Sequence, residues 1–322
     1  MWEKFMSRYP SISRRHVLGG AGLAAAALTV PALPAAAVAG PAPDDDLKPV
    51  PVPPQVPATE GRVSFGGGEL WYWDTGEKGD PVVLGHAATG SGASWGYQQP
   101  VLASAGFRVI GYSRRGHRNS DLGPADDTGT YADDLHALVE HLGLARIHLV
   151  GTAAGGIAAA DYVLSHPDRV ASAALTCSLV AVGDPAYVAR SNALRPPQWD
   201  TLPKDFQELS GSYRATNPDG VATWLAEAAL APPASRRQRT KATVTAAALG
   251  AAGVPILLAT GDADLYTPPA MLRELGRGIP RAKQVIFPEC GHNGCWERPA
   301  LFNRTILAFL RRNRIGGRGA GR

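Results

Sequence analysis

From Arg62 to Arg312 short apolar runs alternate with helix-period segments, and that rhythm leaves few folds open to the chain. Runs of near-continuous Val, Ile, Leu and Ala read as strands buried on both faces, a setting that a parallel sheet covered by helices provides. Strands are predicted at Arg62–Phe65, Glu69–Asp74, Val82–Leu84, Val109–Tyr112, Ile147–Val150, Ala171–Leu175, Ile256–Ala259 and Gln284–Phe287. The first two flank Gly66-Gly67-Gly68 and read as an antiparallel pair. Helices are predicted over Tyr131–Leu142, Gly156–Ser165, Ala270–Gly276 and Pro299–Arg312. The expected fold class is α/β, a mostly parallel eight-stranded sheet flanked by helices.

The rhythm fails between Ser178 and about Gly253, where Pro196-Pro197, Pro203, Pro218 and Pro232-Pro233 interrupt short helical pieces. An insertion after the sixth strand leaves the sheet at its carboxyl edge, where such folds place their ligand crevice. Residues 179–253 are therefore read as a helical lid over a core of 61–178 and 254–312. A decorative insert packed on the sheet flank is the competing reading.

The ends of the chain carry different signals. Ser13-Arg14-Arg15-His16-Val17-Leu18 leads into a Gly/Ala-rich apolar stretch, and Ala37-Val38-Ala39 supplies an A-x-A cleavage site. Residues 1–39 thus read as a twin-arginine signal peptide, with the twin-arginine export machinery as partner and a periplasmic or secreted location. Gly19, Gly20, Gly22, Pro31 and Pro34 break the apolar run and argue against a retained membrane anchor. Residues 40–60 read as a Pro-rich linker and 313–322 as a basic disordered tail.

The net charge of +4 would suggest nucleic acid or a membrane surface if it were spread over the molecule. It is not: Lys4, Arg8, Arg14 and Arg15 face only Glu3, and Arg311, Arg312, Arg314, Arg318 and Arg322 face no acid. Between these ends the chain is mildly acidic, so no nucleic-acid partner is implied. Three cysteines are too few for a disulfide scaffold. Cys290 and Cys295 flank His292, and either a local bridge or two reduced thiols fits the sequence. No H-E-x-x-H, zinc-spaced Cys pair or Walker-type Gly-Lys-Ser/Thr occurs, so no metal or nucleotide cofactor is implied.

Four motifs then arrive in order: Leu84-Gly85-His86-Ala87-Ala88-Thr89-Gly90 with Trp95 behind it; Tyr112-Ser113-Arg114-Arg115-Gly116-His117; Gly151-Thr152-Ala153-Ala154-Gly155; and Gly261-Asp262-Ala263-Asp264 followed by Gly291-His292. On these, Val82 to Leu310 resembles the α/β-hydrolase superfamily, of the esterase, lactonase and epoxide-hydrolase type. The resemblance makes the first motif an oxyanion loop with the Ala88 N–H as donor, and the third a nucleophile elbow with a second donor at Ala154. Ser113 stands where the family usually has Asp.

The elbow departs from its relatives. Gly151 and Gly155 keep the small residues that a strained strand-to-helix turn needs, yet Ala153 occupies the serine's place. A methyl group cannot attack a carbonyl, so an acyl-enzyme through this position is excluded. Aminoacrylate-hydrolase-like members of the superfamily carry Ala there too. The resemblance keeps Asp264 and His292 as an acid–base pair, able to activate water over Ala153 for attack on an ester, lactone or enamine. A lyase or other proton-transfer reaction suits the same residues, as does a binding protein that has lost its chemistry. His86, Trp95, Cys177, Tyr213, Trp224 and Tyr266 are further candidates for a pocket holding a small-molecule substrate.

Overall fold

The computed structural model describes residues 47–233 and 237–316, together with the backbone of Ala37 and Val38. The rest of the expected signal peptide, the first part of the linker and the end of the basic tail lie outside the described residues. Among the described residues there are nine strands: β1 (Ala37–Val38), β2 (Thr59–Ser64), β3 (Glu69–Asp74), β4 (Asp80–Gly85), β5 (Phe107–Tyr112), β6 (Ile147–Thr152), β7 (Val170–Thr176), β8 (Ile256–Gly261) and β9 (Lys283–Phe287). They form one sheet in the order β1-β9-β8-β7-β6-β4-β5-β3-β2. The pairs β2–β3 and β3–β5 are antiparallel and all others parallel. The eight expected strands are all found, and the two-residue β1 adds a short parallel edge beside Val285 and Ile286.

The helices are α1 (Gln99–Ser104), α2 (Tyr131–His141), α3 (Ala154–Ser165), α4 (Pro185–Ala193), α5 (Lys204–Glu208), α6 (Gly211–Thr216), α7 (Pro218–Ala228), α8 (Ala246–Ala251), α9 (Pro269–Gly278), α10 (Gly294–Glu297) and α11 (Pro299–Arg312). Every residue of β6, β7 and β8 is buried, because helices cover both faces of the sheet there. On one face Leu135 and Leu138 of α2, Tyr162 and Val163 of α3 and Met271, Leu272 and Leu275 of α9 share a core with Leu149, Leu175 and Leu258. On the other, Leu102 of α1 and Leu301, Phe302, Ile306 and Phe309 of α11 pack on Leu84, Val150 and Leu257. Thr130 starts α2 by accepting the Asp133 N–H on its hydroxyl at 3.1 Å.

Two boundaries differ from the sequence reading. The stretch expected as one cover over 179–253 divides: α4 to α7 occupy its first part, whereas α8 packs against α9 and α3 on the sheet flank. Its polypeptide has already rejoined the core at Arg239, which bridges to Thr130, and at the fully buried Val244. The described part of the Pro-rich linker, 47–58, forms no helix or strand, and it is held down on the core. Gln99 bonds the backbone of Val56 at 3.0 and 2.8 Å, and the Tyr97 hydroxyl donates to Val50 O at 2.7 Å. Among the described residues no helix is long and apolar enough to cross a membrane.

Candidate active site

Strand β6 ends at Thr152 and α3 begins at Ala154, so Ala153 alone makes the turn between them. Its backbone sits at φ 50° and ψ −117°. A side chain resists that region at a cost on the order of 1–3 kcal/mol. The neighbours enforce it: the Ala153 N–H donates to Thr176 O at 2.9 Å, and its carbonyl accepts from Ser178 Oγ at 2.6 Å. A methyl group on Gly151 would run into the Gly155 carbonyl, and one on Gly155 into the carbonyl of Gly85. The glycines at this spacing are therefore a packing requirement of the turn. Cys177 (φ 46°) after β7 and Glu289 (φ 52°) after β9 are bent in the same sense, so strain gathers at the carboxyl edge of the sheet.

Two loops on that edge carry the acid–base pair. Asp264 follows β8 and His292 follows β9, and His292 Nδ1 lies 2.9 Å from each carboxylate oxygen of Asp264. Oδ1 also accepts the N–H groups of Tyr266 and Thr267 at 2.8 Å, while Oδ2 accepts the Thr260 hydroxyl at 2.9 Å. Burial pushes the Asp264 carboxyl up, but the His292 charge and these hydrogen bonds outweigh it and hold the group below the ordinary carboxylate range. Burial likewise opposes protonation of His292. Asp264, by charge and hydrogen bond, with help from Glu208 and Glu297, raises it above the ordinary histidine value. With Nδ1 engaged by Asp264, Nε2 is the nitrogen left for a substrate.

The histidine loop is itself braced. The buried Glu297 carboxylate accepts the N–H of Ser210 at 2.8 Å and those of Gly291 and Asn293 at 3.0 and 3.1 Å. The His292 N–H donates to the Glu208 carbonyl at 2.6 Å, which ties the loop to α5.

A cavity of about 670 Å³ opens where these parts meet, and Ala153, Ala154, Ala88, His292, Tyr266 and Glu208 all line it. As the first residue of α3, Ala154 has an N–H without an intrahelical acceptor. The Tyr266 ring lies 4.5 Å from that of His292, tilted by 31°. Val188 of α4, Leu225 and Ala228 of α7, and Leu179 and Val182 beyond β7 supply apolar wall. The first residues after β7 and helices α4 and α7 thus contribute to the cavity wall.

The other candidates fall elsewhere. His86, Trp95 and Trp224 line a separate cavity of about 370 Å³, together with Thr152. His86 is fully buried, its Nδ1 bonded to Ala87 O at 2.7 Å and its Nε2 accepting the Arg114 N–H at 3.0 Å. Burial and the nearby Arg114 charge hold it well below the ordinary histidine value, so it braces the loop as a neutral ring. Trp95 packs in the core against Phe302. Tyr213 lines neither cavity: it packs with Leu209 and Trp224, and its hydroxyl accepts from Asn217 at 3.1 Å. Cys177 is also away from both, fully buried, and burial with the Asp264 charge pushes its thiol well above the ordinary value. A nucleophilic role is thus closed to it. All three cysteines are free and buried.

Several cavity residues were not picked out in the sequence. Glu208, Arg195 and Arg237 come from the insertion and its return, where no motif marks them. Arg114 does carry a signal: it fills the variable position of the Asp-x-Arg-Gly-like stretch, beside the Arg115 that the pattern requires.

The α/β-hydrolase fold family model matches residues 80–215 and 196–299. The chain is 30% identical over 258 residues to BpoC of Mycobacterium tuberculosis, a protein named among the non-heme bromoperoxidases, with 75% of this chain and 97% of the relative covered. It is 27% identical to a 2-hydroxy-6-oxononadienedioate/2-hydroxy-6-oxononatrienedioate hydrolase of Paraburkholderia xenovorans, over 77% of this chain and 93% of the relative. The solved structure of an esterase from Thermogutta terrifontis superposes with a TM-score of 0.68 at 25% identity, covering 80% of this chain and all of that one. With the ordered motifs, the parallel sheet and the strained turn at Ala153, these matches place the chain in the α/β-hydrolase fold family.

Proposed function

We propose that the protein is an exported hydrolase that works without a serine nucleophile, using His292 and Asp264 to activate water against a small, activated carbonyl substrate. Ala153 stands at the position where the family carries its nucleophile, and its methyl group leaves room over the turn for a water molecule. The observation that carries the reading is the His292–Asp264 pair, held at 2.9 Å on the wall of the cavity that Ala153 also lines. A chain that had abandoned chemistry has no need of a carboxylate held by three other donors against one imidazole nitrogen.

In this mechanism Asp264 sets the tautomer, and His292 Nε2 takes a proton from water as the water attacks the carbonyl carbon. Negative charge develops on the carbonyl oxygen, and the N–H groups of Ala88 and Ala154 stabilise it. His292 then returns the proton to the leaving oxygen or nitrogen. The attack forms no covalent bond to the enzyme, so the substrate must carry a good leaving group, as an enol lactone or labile ester does.

The Ala153→Ser variant tests whether the remaining machinery is that of a hydrolase. It is expected to acquire burst-phase cleavage of p-nitrophenyl acetate, with the acetyl group carried on the introduced hydroxyl, an intermediate the native chain cannot form. A folded variant with neither burst nor acetylation would show that the oxyanion donors or the base are not aligned with this position.

A further inference from the structure

The large cavity carries an excess of positive charge that the protein does not neutralise. Arg115 is matched, forming a two-pronged pair with Asp134 at 2.6 and 2.7 Å, and Lys204 is engaged by Gln207 at 2.9 Å. Arg114, Arg195 and Arg237 also line the cavity, and among the described residues none forms an ion pair with a carboxylate. They span its depth: Arg114 is 5% exposed, Arg195 half-buried and Arg237 at the surface.

Arg114 is the telling member. Its Nη2 donates to Ala87 O at 3.0 Å and His86 O at 3.3 Å, while its buried Nε has no partner. A buried guanidinium without a counter-charge costs several kcal/mol, which proteins normally avoid by pairing it. The same fork bonds the carbonyl of Ala87, next to the oxyanion donor Ala88, so the unmatched charge lies beside the reaction centre. Arg195 has an unpartnered Nε as well and stands 5.2 Å from the centre of the Tyr266 ring, which in turn covers His292. Ile157, Leu179, Val182, Val188 and Leu225 add an apolar part to the wall, and the one carboxylate among its described residues, Glu208, accepts the Thr89 hydroxyl at 2.8 Å.

We propose that this cavity selects substrates bearing a free carboxylate on a short apolar frame, with Arg114 binding the carboxylate and Arg195 and Arg237 drawing it inward. The proposal rests on the reading above that this cavity holds the substrate, and it names the substrate class. A guanidinium pairs with a carboxylate through charge-assisted hydrogen bonds, and the apolar part of the wall accepts the carbon frame.

The test is binding of phenylacetate against its neutral isostere phenylacetamide, by calorimetry on the full chain. Phenylacetate is expected to bind at least about tenfold more tightly, since one charge-assisted pair is worth that factor or more. A folded Arg114→Gln variant should lose about tenfold in phenylacetate affinity and keep its affinity for the amide. Arg237→Gln, at the exposed rim and so safe for folding, should weaken phenylacetate by about twofold to fivefold without touching the amide. Equal binding of acid and amide by the native protein, no binding of the acid, or an acid preference that survives both substitutions would overturn the proposal. Because binding is read without turnover, the two readings fail separately: an acid-selective cavity without catalysis keeps this inference, and turnover of neutral esters without acid preference keeps only the catalytic one.

Discussion

At Ala153 the backbone bears a conformation that side chains resist, while the side chain itself offers a substrate nothing to react with. In the proposed mechanism that combination leaves the chemistry to His292. Its raised and Asp264's lowered pKa fix the pH behaviour. A general base must be neutral, so kcat/KM should climb with pH along a limb centred above about 6.5, the ordinary histidine value. Asp264→Asn removes the charge that raises the limb and should move it downward while cutting the rate; a limb unmoved by that change would separate His292 from Asp264. The stability terms have opposite signs. The Asp264 contribution is present above the ordinary carboxylate range and is lost as acid takes pH through its lowered value. The His292 contribution is present below about 6.5 and fades as pH rises through its raised one.

The elements that hold these residues were largely legible. Continuous apolar runs such as Ile147–Val150 and Ala171–Leu175 have one stable setting, the middle of a covered parallel sheet, and β6 and β7 lie there. The elbow was legible too, because Gly151 and Gly155 are demanded by backbone approach, a local constraint. Gly155→Ala should accordingly destabilise the fold by about 1–3 kcal/mol or more in urea unfolding, since its new methyl meets backbone that cannot yield. An undiminished midpoint would show the turn to be looser than this close approach of backbone implies. What the sequence hid was long-range. Whether Tyr213 or Tyr266 faces the cavity depends on how short helices of the insertion pack: Tyr213 turns into a small cluster with Leu209 and Trp224, and Tyr266 onto His292. Helix α8 reads like another piece of the insertion and belongs to the sheet flank, because its partners in α3 and α9 are far away in the chain.

At the scale of the whole molecule, two apolar layers clamp the sheet and leave its carboxyl edge to a cavity to which the insertion between β7 and β8 contributes wall residues. In the proposed export of the folded chain, the Arg14-Arg15 pair would be the signal read. Cleavage after Ala39 would remove β1 and leave the eight longer strands intact. Expression with and without Arg14→Lys/Arg15→Lys, followed by fractionation, should show a shortened envelope form that the double variant loses. A full-length protein confined to the cytoplasm in both cases would refute export. The central claim, water activation by His292 without a covalent intermediate, is tested most directly by p-nitrophenyl acetate turnover with acid-quench mass spectrometry. The native protein should turn the ester over without ever carrying an acetyl group, and His292→Ala should be slower by roughly 10²–10⁴-fold. An acetylated native residue, or undiminished turnover by His292→Ala, would contradict the account.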